Sequence, residues 1–314
     1  MDESALRNRL PDALAAAARG CHTARMGSND RTITRRAVLL GSLAATAGVG
    51  YLAVEEGRHW WGTAFGSTGS AVGLPKVSGG RKVSGRFSSA KLGRSCGYTI
   101  CYPTSAAERL PVVVVLHARG ADHRTAFNTL GMDRFLKAGG YRFALASVDG
   151  GNTYWHHRAS GVDAGAMVVD EFLPLLAAHG LDTRRIGFFG WSMGGFGALW
   201  LSGVLGASRV AGTTALSPAL WHRAADTAAG AFDDPADFAA HDVFGQVRRL
   251  TGIGVRIDCG TGDGFYPVGR DYLQLLRTQL RPAPAGSFSP GGHTVAYWRQ
   301  TVGVQLAFLA RQLG

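Results

Sequence analysis

The stretch Gly190-Trp191-Ser192-Met193-Gly194 places a serine midway between two glycines. An apolar run at 185–189 precedes it and is typical of a short buried strand, and the apolar stretch 195–201 that follows is typical of a helix. A serine presented at the top of a sheet sits in a sharp turn from strand to helix, where a Cβ two positions away on either side would collide with the backbone. The pattern therefore predicts a nucleophile elbow, with Ser192 as the nucleophile.

The elbow requires a base, because a serine hydroxyl is a weak nucleophile near neutral pH. In sites of this type the serine comes first along the chain, the acid second and the histidine last. His293 lies in the glycine-rich turn 290–294, just before the apolar pattern of a final helix, and it is the predicted base. His222 and His241 stand in a polar stretch rich in alanine and aspartate, so we expect them at the surface.

The acid is expected at the end of the strand between the nucleophile and the histidine. The alternating segment 254–260 is typical of that strand, and Asp263 lies on the turn beyond it, where a carboxylate can reach the imidazole. Asp258 lies inside the strand and is the second candidate, with a structural role as its other interpretation. We therefore predict Asp263 as the acid that orients His293.

Short apolar runs alternate with helical patterns along the rest of the chain. This alternation predicts an α/β fold, with a mostly parallel central sheet and helices on both faces. The predicted strands lie near 98–102, 112–116, 143–148, 186–189, 211–216, 255–258 and 285–289. The clearest helical patterns are 164–178, which Pro174 should kink or restart, and 268–280. We expect one catalytic domain over 83–314, an ordinary length for a single α/β domain.

Four segments together resemble the esterase D group of α/β-hydrolases, which includes feruloyl-esterase-like enzymes and the mycolyltransferases of mycobacteria. They are LHARG at 116–120, GWSMGG at 190–195, DCGTGD at 258–263 and GHTVAYWR at 292–299. The resemblance covers 95–313, and the segment after the histidine is its most specific part. It implies an α/β-hydrolase fold, acyl-ester chemistry and no metal. By motif position it implies Ser192 as nucleophile, Asp263 as acid and His293 as base.

One segment departs from that pattern. In such enzymes the loop after the first central strand often continues from a histidine into glycines, whereas the loop 117–120 has Ala118 in place of a glycine. The loop aims a backbone N–H at the developing oxyanion, a contribution of about 3 kcal/mol to the barrier. We expect the backbone N–H groups of Met193 and Arg119 to be the oxyanion donors.

Three aromatic residues are expected at the substrate pocket. Tyr154 and Trp155 follow the strand at 143–148, and loops at the carboxyl ends of parallel strands form the crevice where ligands bind. A packed aromatic corner is the alternative for these two residues. Trp221 follows a Ser-Pro turn and is the third expected pocket wall. The segment 217–245 lacks a strong period, which makes it the candidate for a cap beside the site.

No metal ion or other cofactor is expected. His156 and His157 are adjacent, but no third ligand stands at a suggestive spacing. Cys96 and Cys101 are five positions apart in one predicted strand, so they point to opposite faces and cannot form a disulfide directly. No pair of cysteines has metal-ligand spacing, and we expect all four to be free or packed thiols.

The N-terminal segment 1–54 has the organisation of an export signal. Arg35-Arg36 directly precede an uncharged, mostly apolar run at 37–54, an arrangement that indicates the twin-arginine route. The residues Ala45-Thr46-Ala47 offer a cleavage site, and an uncleaved run is just long enough to remain as a membrane anchor. We expect a protein that is extracellular or in the cell envelope, with a glycine- and serine-rich linker at 55–82.

The formal net charge is +11, but the basic residues are dispersed and no nucleic-acid-binding motif is present. We therefore expect no nucleic-acid partner, although a basic surface could help association with an anionic envelope. The sequence predicts an exported serine hydrolase that takes small-molecule or lipid acyl esters and forms an acyl-enzyme. Water or an acceptor alcohol then receives the acyl group, the second case being transfer of the mycolyltransferase type. The alternatives are a peptidase of the same fold and an idle hydrolase-fold module that binds envelope components.

Overall fold

The computed structural model describes residues 73–103 and 109–314. Eight strands form a single sheet in this part of the chain. Their bounds are β1 Arg81–Ser89, β2 Arg94–Tyr102, β3 Pro111–Leu116, β4 Ala144–Val148, β5 Asp182–Trp191, β6 Val210–Leu216, β7 Gly254–Gly260 and β8 Ala285–Ser289. The predicted export signal and most of the predicted linker lie outside the described residues.

The strand order across the sheet is β1-β2-β4-β3-β5-β6-β7-β8. β1, β2 and β4 pair antiparallel, and every pair from β4 through β8 is parallel. Parallel strands are usually buried on both faces, and every residue of β4 and β6 is buried here. The mostly parallel sheet predicted from the sequence is confirmed.

Helices cover both faces of this sheet, as predicted. Their bounds are α1 Thr125–Asn128, α2 Met132–Ala138, α3 with the consecutive pieces Ala164–Ala166, Met167–Phe172 and Leu173–Ala178, α4 Met193–Leu205, α5 Pro235–Ala240, α6 Tyr266–Gln279 and α7 Val295–Leu313. Side chains alternate along β3, so Val112 and Val114 pack in one core with α3, α4 and α6. Val113 and Val115 pack in the second core with α2 and α7.

All seven strands predicted from the sequence are present. The eighth strand, β1, was not predicted, because its sequence RKVSGRFSS contains no apolar run. It lies at the edge of the sheet, and most of its residues are exposed or half-buried. The strand begins at Arg81, so the last two positions of the predicted linker belong to the sheet.

Pro174 interrupts the regular hydrogen bonding of α3, as predicted. A proline has no N–H to donate, and its ring would clash with the carbonyl group of Asp170 in a regular α-helix. The six residues Met167–Phe172 form a π-helical turn directly before the last piece of α3, which has Pro174 in its first turn. The wider turn lets the helix continue through the proline.

Within 73–103 and 109–314, no helix combines the length and the apolar character needed to cross a membrane. Cys96, Cys101 and Cys259 are free and buried, as predicted, and Cys21 lies outside the described residues. Burial raises the pKa of the Cys101 thiol to about 12 and also raises the pKa of Cys259. Both thiols therefore stay protonated and serve as packing groups.

Candidate active site

Ser192 lies in the turn between β5 and α4 with φ 54° and ψ −120°, a conformation that non-glycine residues rarely adopt. The flanking glycines make this turn sterically accessible. A Cβ on Gly190 would lie 1.8 Å from the carbonyl oxygen of Gly194, and a Cβ on Gly194 would lie 1.9 Å from that of Leu116. The structure thus contains the sharp strand-to-helix turn, called the elbow below, that the sequence predicts, for the predicted steric reason.

The three predicted triad residues lie in one line of hydrogen bonds. His293 Nε2 is 2.9 Å from Ser192 Oγ, and His293 Nδ1 is 2.8 Å from Asp263 Oδ2. All three residues are buried. A carboxylate accepts but does not donate, so the proton of a neutral His293 lies on Nδ1 and leaves Nε2 to accept the hydroxyl proton. This tautomer is the one that a general base requires.

His293 is held by the start of α7. Thr294 is the N-cap of this helix, and its side chain accepts a hydrogen bond from the N–H of Tyr297. The imidazole contacts two aromatic rings edge-on, with centroids 4.9 Å away for Trp298 and 5.4 Å away for Phe265. These contacts and the Asp263 hydrogen bond fix the orientation of the ring from three sides.

Asp263, and not Asp258, reaches the histidine. The second carboxylate oxygen of Asp263 accepts a hydrogen bond from the N–H of Phe265 at 2.9 Å. Asp258 is fully buried within β7 and forms two bonds of 2.7 Å with Arg256. It also accepts from Ser287 of β8 and from a glutamine of α7. Asp258 therefore ties the sheet to α7, which is the structural role that the sequence left open.

The loop 117–120 lies directly beside the elbow, because a Cβ on Gly194 would also meet the carbonyl oxygen of His117 at 2.8 Å. Gly120 takes the positive φ of the loop, 75°, and its N–H donates to Asn152 Oδ1 at 2.8 Å. Ala118 is buried, and its φ is not in the left-handed region. The backbone at this position therefore does not require glycine, which explains why the loop tolerates the departure from the family pattern.

The loop is anchored by a histidine that the sequence analysis gave no role. His117 is buried, its Nδ1–H donates to the carbonyl oxygen of Ala118 at 2.7 Å, and its Nε2 accepts from the N–H of Gly150 at 3.1 Å. Burial lowers the pKa of His117, which keeps this single tautomer neutral. The loop after β3 is thereby joined to the loop after β4.

We expect Ala118→Gly to change kcat by less than about tenfold, which corresponds to roughly 1.4 kcal/mol of barrier. The native backbone at Ala118 is already in an ordinary region, so glycine adds freedom without opening a conformation that the loop needs. Steady-state kinetics on a p-nitrophenyl ester measures the effect. A large gain in kcat would show that the native loop is poorly formed.

The structure corrects the expected role of Trp155. Its side chain is fully buried, and its indole N–H lies 3.3 Å from the carbonyl oxygen of His117. Cβ atoms added to Gly150 or Gly197 would each lie 2.5 Å from the Trp155 ring. The ring is therefore packed between the loop after β4 and helix α4, where it supports the elbow and does not line a pocket. A residue with φ 62° can turn its side chain inward at a place where a loop would usually expose it.

Tyr154 and Trp221 belong to an aromatic group beside α4. Their ring centroids are 5.8 Å apart. Tyr154 is fully buried, so it belongs to the packed aromatic corner that was the alternative and is not the exposed pocket wall that was expected. Trp221 is half-buried and contacts Phe265 edge-on at 5.5 Å, and Phe265 in turn contacts His293. Trp221 therefore stands one ring away from the imidazole, where a pocket wall was predicted.

The segment 217–245, called the insert below, covers this side of the site. Its Ala229 carbonyl accepts a hydrogen bond of 2.9 Å from the Arg119 guanidinium. Together with α4, its residues line a small cavity; the lining residues include Phe196, Trp221, Phe232 and His241. The prediction of surface positions holds for His222, whose side chain is 47% exposed, but it is wrong for His241, which is 14% exposed. His241 is covered because the insert packs against the body of the domain.

No protein-family model and no curated protein matches the chain. Its fold is nevertheless shared with solved enzymes. A ferulic acid esterase aligns with TM-score 0.64 at 19% identity, over 74% of this chain and 97% of that chain. The substrate-bound fluorophosphonate-binding serine hydrolase F of Staphylococcus aureus aligns with TM-score 0.63 at 17% identity, over 74% and 99%. An S-formylglutathione hydrolase from Agrobacterium tumefaciens aligns with TM-score 0.65 at 18% identity, over 77% and 99%.

These likenesses establish the fold that the sequence resemblance implied. The chain adopts the α/β-hydrolase fold, and it spans nearly the whole length of each of the three solved chains.

Proposed function

We propose that the protein is a serine hydrolase that cleaves carboxylic esters through a covalent acyl-enzyme. The continuous hydrogen-bonded line from Asp263 through His293 to Ser192, placed on a nucleophile elbow, carries this proposal. Structural likeness to a ferulic acid esterase and to an S-formylglutathione hydrolase supports it. A hydroxyl within hydrogen-bond reach of a base that is itself oriented by an acid is the arrangement that nucleophilic catalysis requires.

In the first half-reaction, Ser192 Oγ attacks the ester carbonyl carbon while His293 Nε2 takes the hydroxyl proton. Asp263 holds the Nδ1–H and stabilises the imidazolium that forms. The negative charge on the carbonyl oxygen is met by the N–H of Met193, the first residue of α4, which has no acceptor within the helix. The N–H of Arg119 in the adjoining loop is the proposed second donor.

Collapse of the tetrahedral intermediate breaks the ester bond, and the imidazolium gives its proton to the leaving alkoxide. The alcohol departs and the acyl group remains on Ser192 Oγ. A water molecule, or an acceptor alcohol in the case of transfer, then gives its proton to His293 and attacks the acyl carbon. Collapse of this second intermediate breaks the bond to Ser192 Oγ, which takes the proton back from His293 as the acid or the new ester departs. The half-buried Trp221 beside His293 is the proposed wall for the acyl group.

Labelling with a fluorophosphonate probe tests this proposal, because the phosphorus centre reacts only with a serine that is activated by its base. We expect the full chain to be labelled and Ser192→Ala to be unlabelled. Ser202→Ala is the matched control, since Ser202 is a buried serine on α4, the helix that follows Ser192, and lies outside the triad. Absence of labelling in the folded native chain would overturn the proposal. Product analysis with water alone and with an added alcohol separates hydrolysis from transfer.

We also propose that the chain is exported by the twin-arginine route. Arg35-Arg36 and the apolar run 37–54 lie outside the described residues, and the proposal rests on their sequence. Export would place the ester site in the cell envelope or outside the cell, where small-molecule or lipid acyl esters of that compartment are the available substrates. A run retained after export would anchor the domain to the membrane.

Replacement of Arg35 and Arg36 by lysine is expected to abolish export. The double variant keeps the charge and the apolar run, so simple membrane affinity survives while recognition by the twin-arginine receptor fails. Protease accessibility on intact spheroplasts measures the location, with an unchanged chain as the comparison. Equal exposure of both forms would point to another route, and full protection of the native chain would contradict export.

A further inference from the structure

A second cluster of chemistry-bearing side chains lies outside the triad. His156, Asp237 and His241 each offer a nitrogen or oxygen atom that can bind a metal, and these atoms all lie within 4.8 Å of one another. His156 belongs to the loop after β4, whereas Asp237 lies on α5 and His241 directly follows it. We propose that these three residues bind a divalent transition-metal ion, and that Zn²⁺ suits this donor set of two imidazoles and one carboxylate.

The separations of the donor atoms fit such an ion. Two ligands bound at about 2.0–2.1 Å to a tetrahedral Zn²⁺ lie about 3.3 Å from each other. Asp237 Oδ1 is 2.9 Å from His241 Nδ1 and 3.7 Å from His156 Nδ1. These two distances bracket the expected one, and the two imidazole nitrogens lie within 4.8 Å of each other. Three protein ligands would leave a fourth position for water.

Ion binding would replace two existing contacts of the imidazoles. His156 Nδ1 lies 2.7 Å from the carbonyl oxygen of His157, and His241 Nδ1 lies 2.8 Å from that of Asp237. The other nitrogen of His156, Nε2, lies 3.1 Å from the carbonyl oxygen of Ala231. With an ion on Nδ1, the single N–H of a neutral His156 is on Nε2 and donates to Ala231. Metal-binding histidines commonly give their second N–H to a backbone carbonyl in this way.

The cluster is largely shielded from bulk water. The His156 side chain is fully buried, and the side chains of Asp237 and His241 are each 14% exposed. Asp237 supplies a negative charge next to the proposed ion.

A bound ion would join the insert to the body of the domain. Asp237 and His241 belong to the insert, and His156 lies on the loop after β4, which also carries Tyr154. The same insert packs beside the proposed ester site. Phe232 of the insert contacts Phe196 edge-on at 5.6 Å, and Phe196 lies on α4, the helix that follows Ser192. Metal binding is therefore expected to hold the insert, with its proposed acyl-group wall Trp221, in place beside the ester site. That consequence rests on the proposed function, but binding of the ion does not.

Zn²⁺ binding to the full chain tests the inference. The protein is dialysed against a chelator and titrated with ZnCl₂ in a calorimeter, and we expect one ion per chain and a rise in Tm. His241→Ala and Asp237→Ala should each weaken binding by about a hundredfold or more, because each removes one of three protein ligands. His222→Ala is the matched control, since His222 is an exposed histidine of the same insert and lies outside the cluster. The control should bind Zn²⁺ as the native chain does.

Co²⁺ provides a measurement that does not depend on the stability of a variant. We expect the native chain to show the intense visible absorption of four-coordinate Co²⁺, and stoichiometric Zn²⁺ to displace it. Failure of the native chain to bind either ion saturably would overturn the inference. Binding that is equally tight in folded His241→Ala would mean an adventitious ion only, and would also overturn it. Fluorophosphonate labelling of Ser192 reads out the proposed function separately, so the two proposals can fail independently.

Discussion

Replacement of Ser192 by alanine, and separately of His293 by alanine, is expected to lower kcat/KM for p-nitrophenyl acetate by about 10⁴-fold or more. Ser192→Ala removes the atom that forms the acyl-enzyme. His293→Ala leaves a hydroxyl without a base, since Ser192 Oγ is hydrogen-bonded to His293 Nε2. Initial rates on the purified full chain give the effect, and the Tm of each variant shows that the fold persists.

The double variant should lose little more activity than either single one. Members of a triad act as a unit, so removal of the second partner has almost nothing left to impair. Ser202→Ala again serves as the control and should keep native kinetics. If either single variant retained most of the native kcat/KM while folded, that residue would be excluded from the mechanism.

Features set by neighbours in the sequence were predictable. A Cβ on Gly190 would collide with Gly194, four positions along the chain, so a five-residue pattern contains this part of the requirement. A Cβ on Gly194 would collide with Leu116 of β3, and the pattern marks that position although a tertiary contact is its cause. The parallel strands are predictable for a similar reason, because burial on both faces demands continuous apolar runs. His293 and Asp263 follow from chain order and turn position, both of which are visible without any tertiary contact.

Features set by distant contacts were not predictable. β1 has no apolar run, and it becomes a strand because β2 offers it a pairing edge. Trp155 has the loop position of a pocket residue, but its positive φ turns the ring inward against Gly197 of α4. The residues around Trp155 in the sequence indicate neither its positive φ nor the space above Gly197, 42 positions later.

The proposed metal site around His156 was also not predictable from local sequence. No third ligand stands near His156 and His157 in the sequence, because Asp237 and His241 are more than 80 positions further along the chain. Only packing of the insert brings them to His156. Two of the ligands do share a local signal, since they stand four residues apart on one short helix and its C-cap. That spacing could have indicated two of the three proposed ligands.

Asp263→Asn and Asp258→Asn are expected to separate catalysis from stability. Asparagine at 263 can donate to His293 Nδ1 and would favour the tautomer whose Nε2 carries the proton, so kcat should fall by about 10⁴-fold. The side chain keeps its size, and we expect little change in Tm. Asparagine at 258 instead removes the charge that faces Arg256 within β7. Breaking such a buried pair costs about 3 kcal/mol of folding free energy, while the catalytic line remains intact.

The measurement is a pair of curves for each variant: chemical unfolding for the free energy, and kcat per fluorophosphonate-titrated site for the chemistry. Asp263→Asn should lower kcat and leave the free energy of unfolding unchanged. Because this variant is expected to react slowly with the fluorophosphonate, its active-site concentration is taken from the total folded protein. Asp258→Asn should lower the free energy of unfolding and leave kcat unchanged. The native Asp258 carboxylate contacts Arg256, Ser287 and α7 and makes no bond to His293. If folded Asp258→Asn lost far more kcat than Asp263→Asn, the acid would have to be reassigned, and the 2.8 Å contact between Asp263 and His293 would be structural.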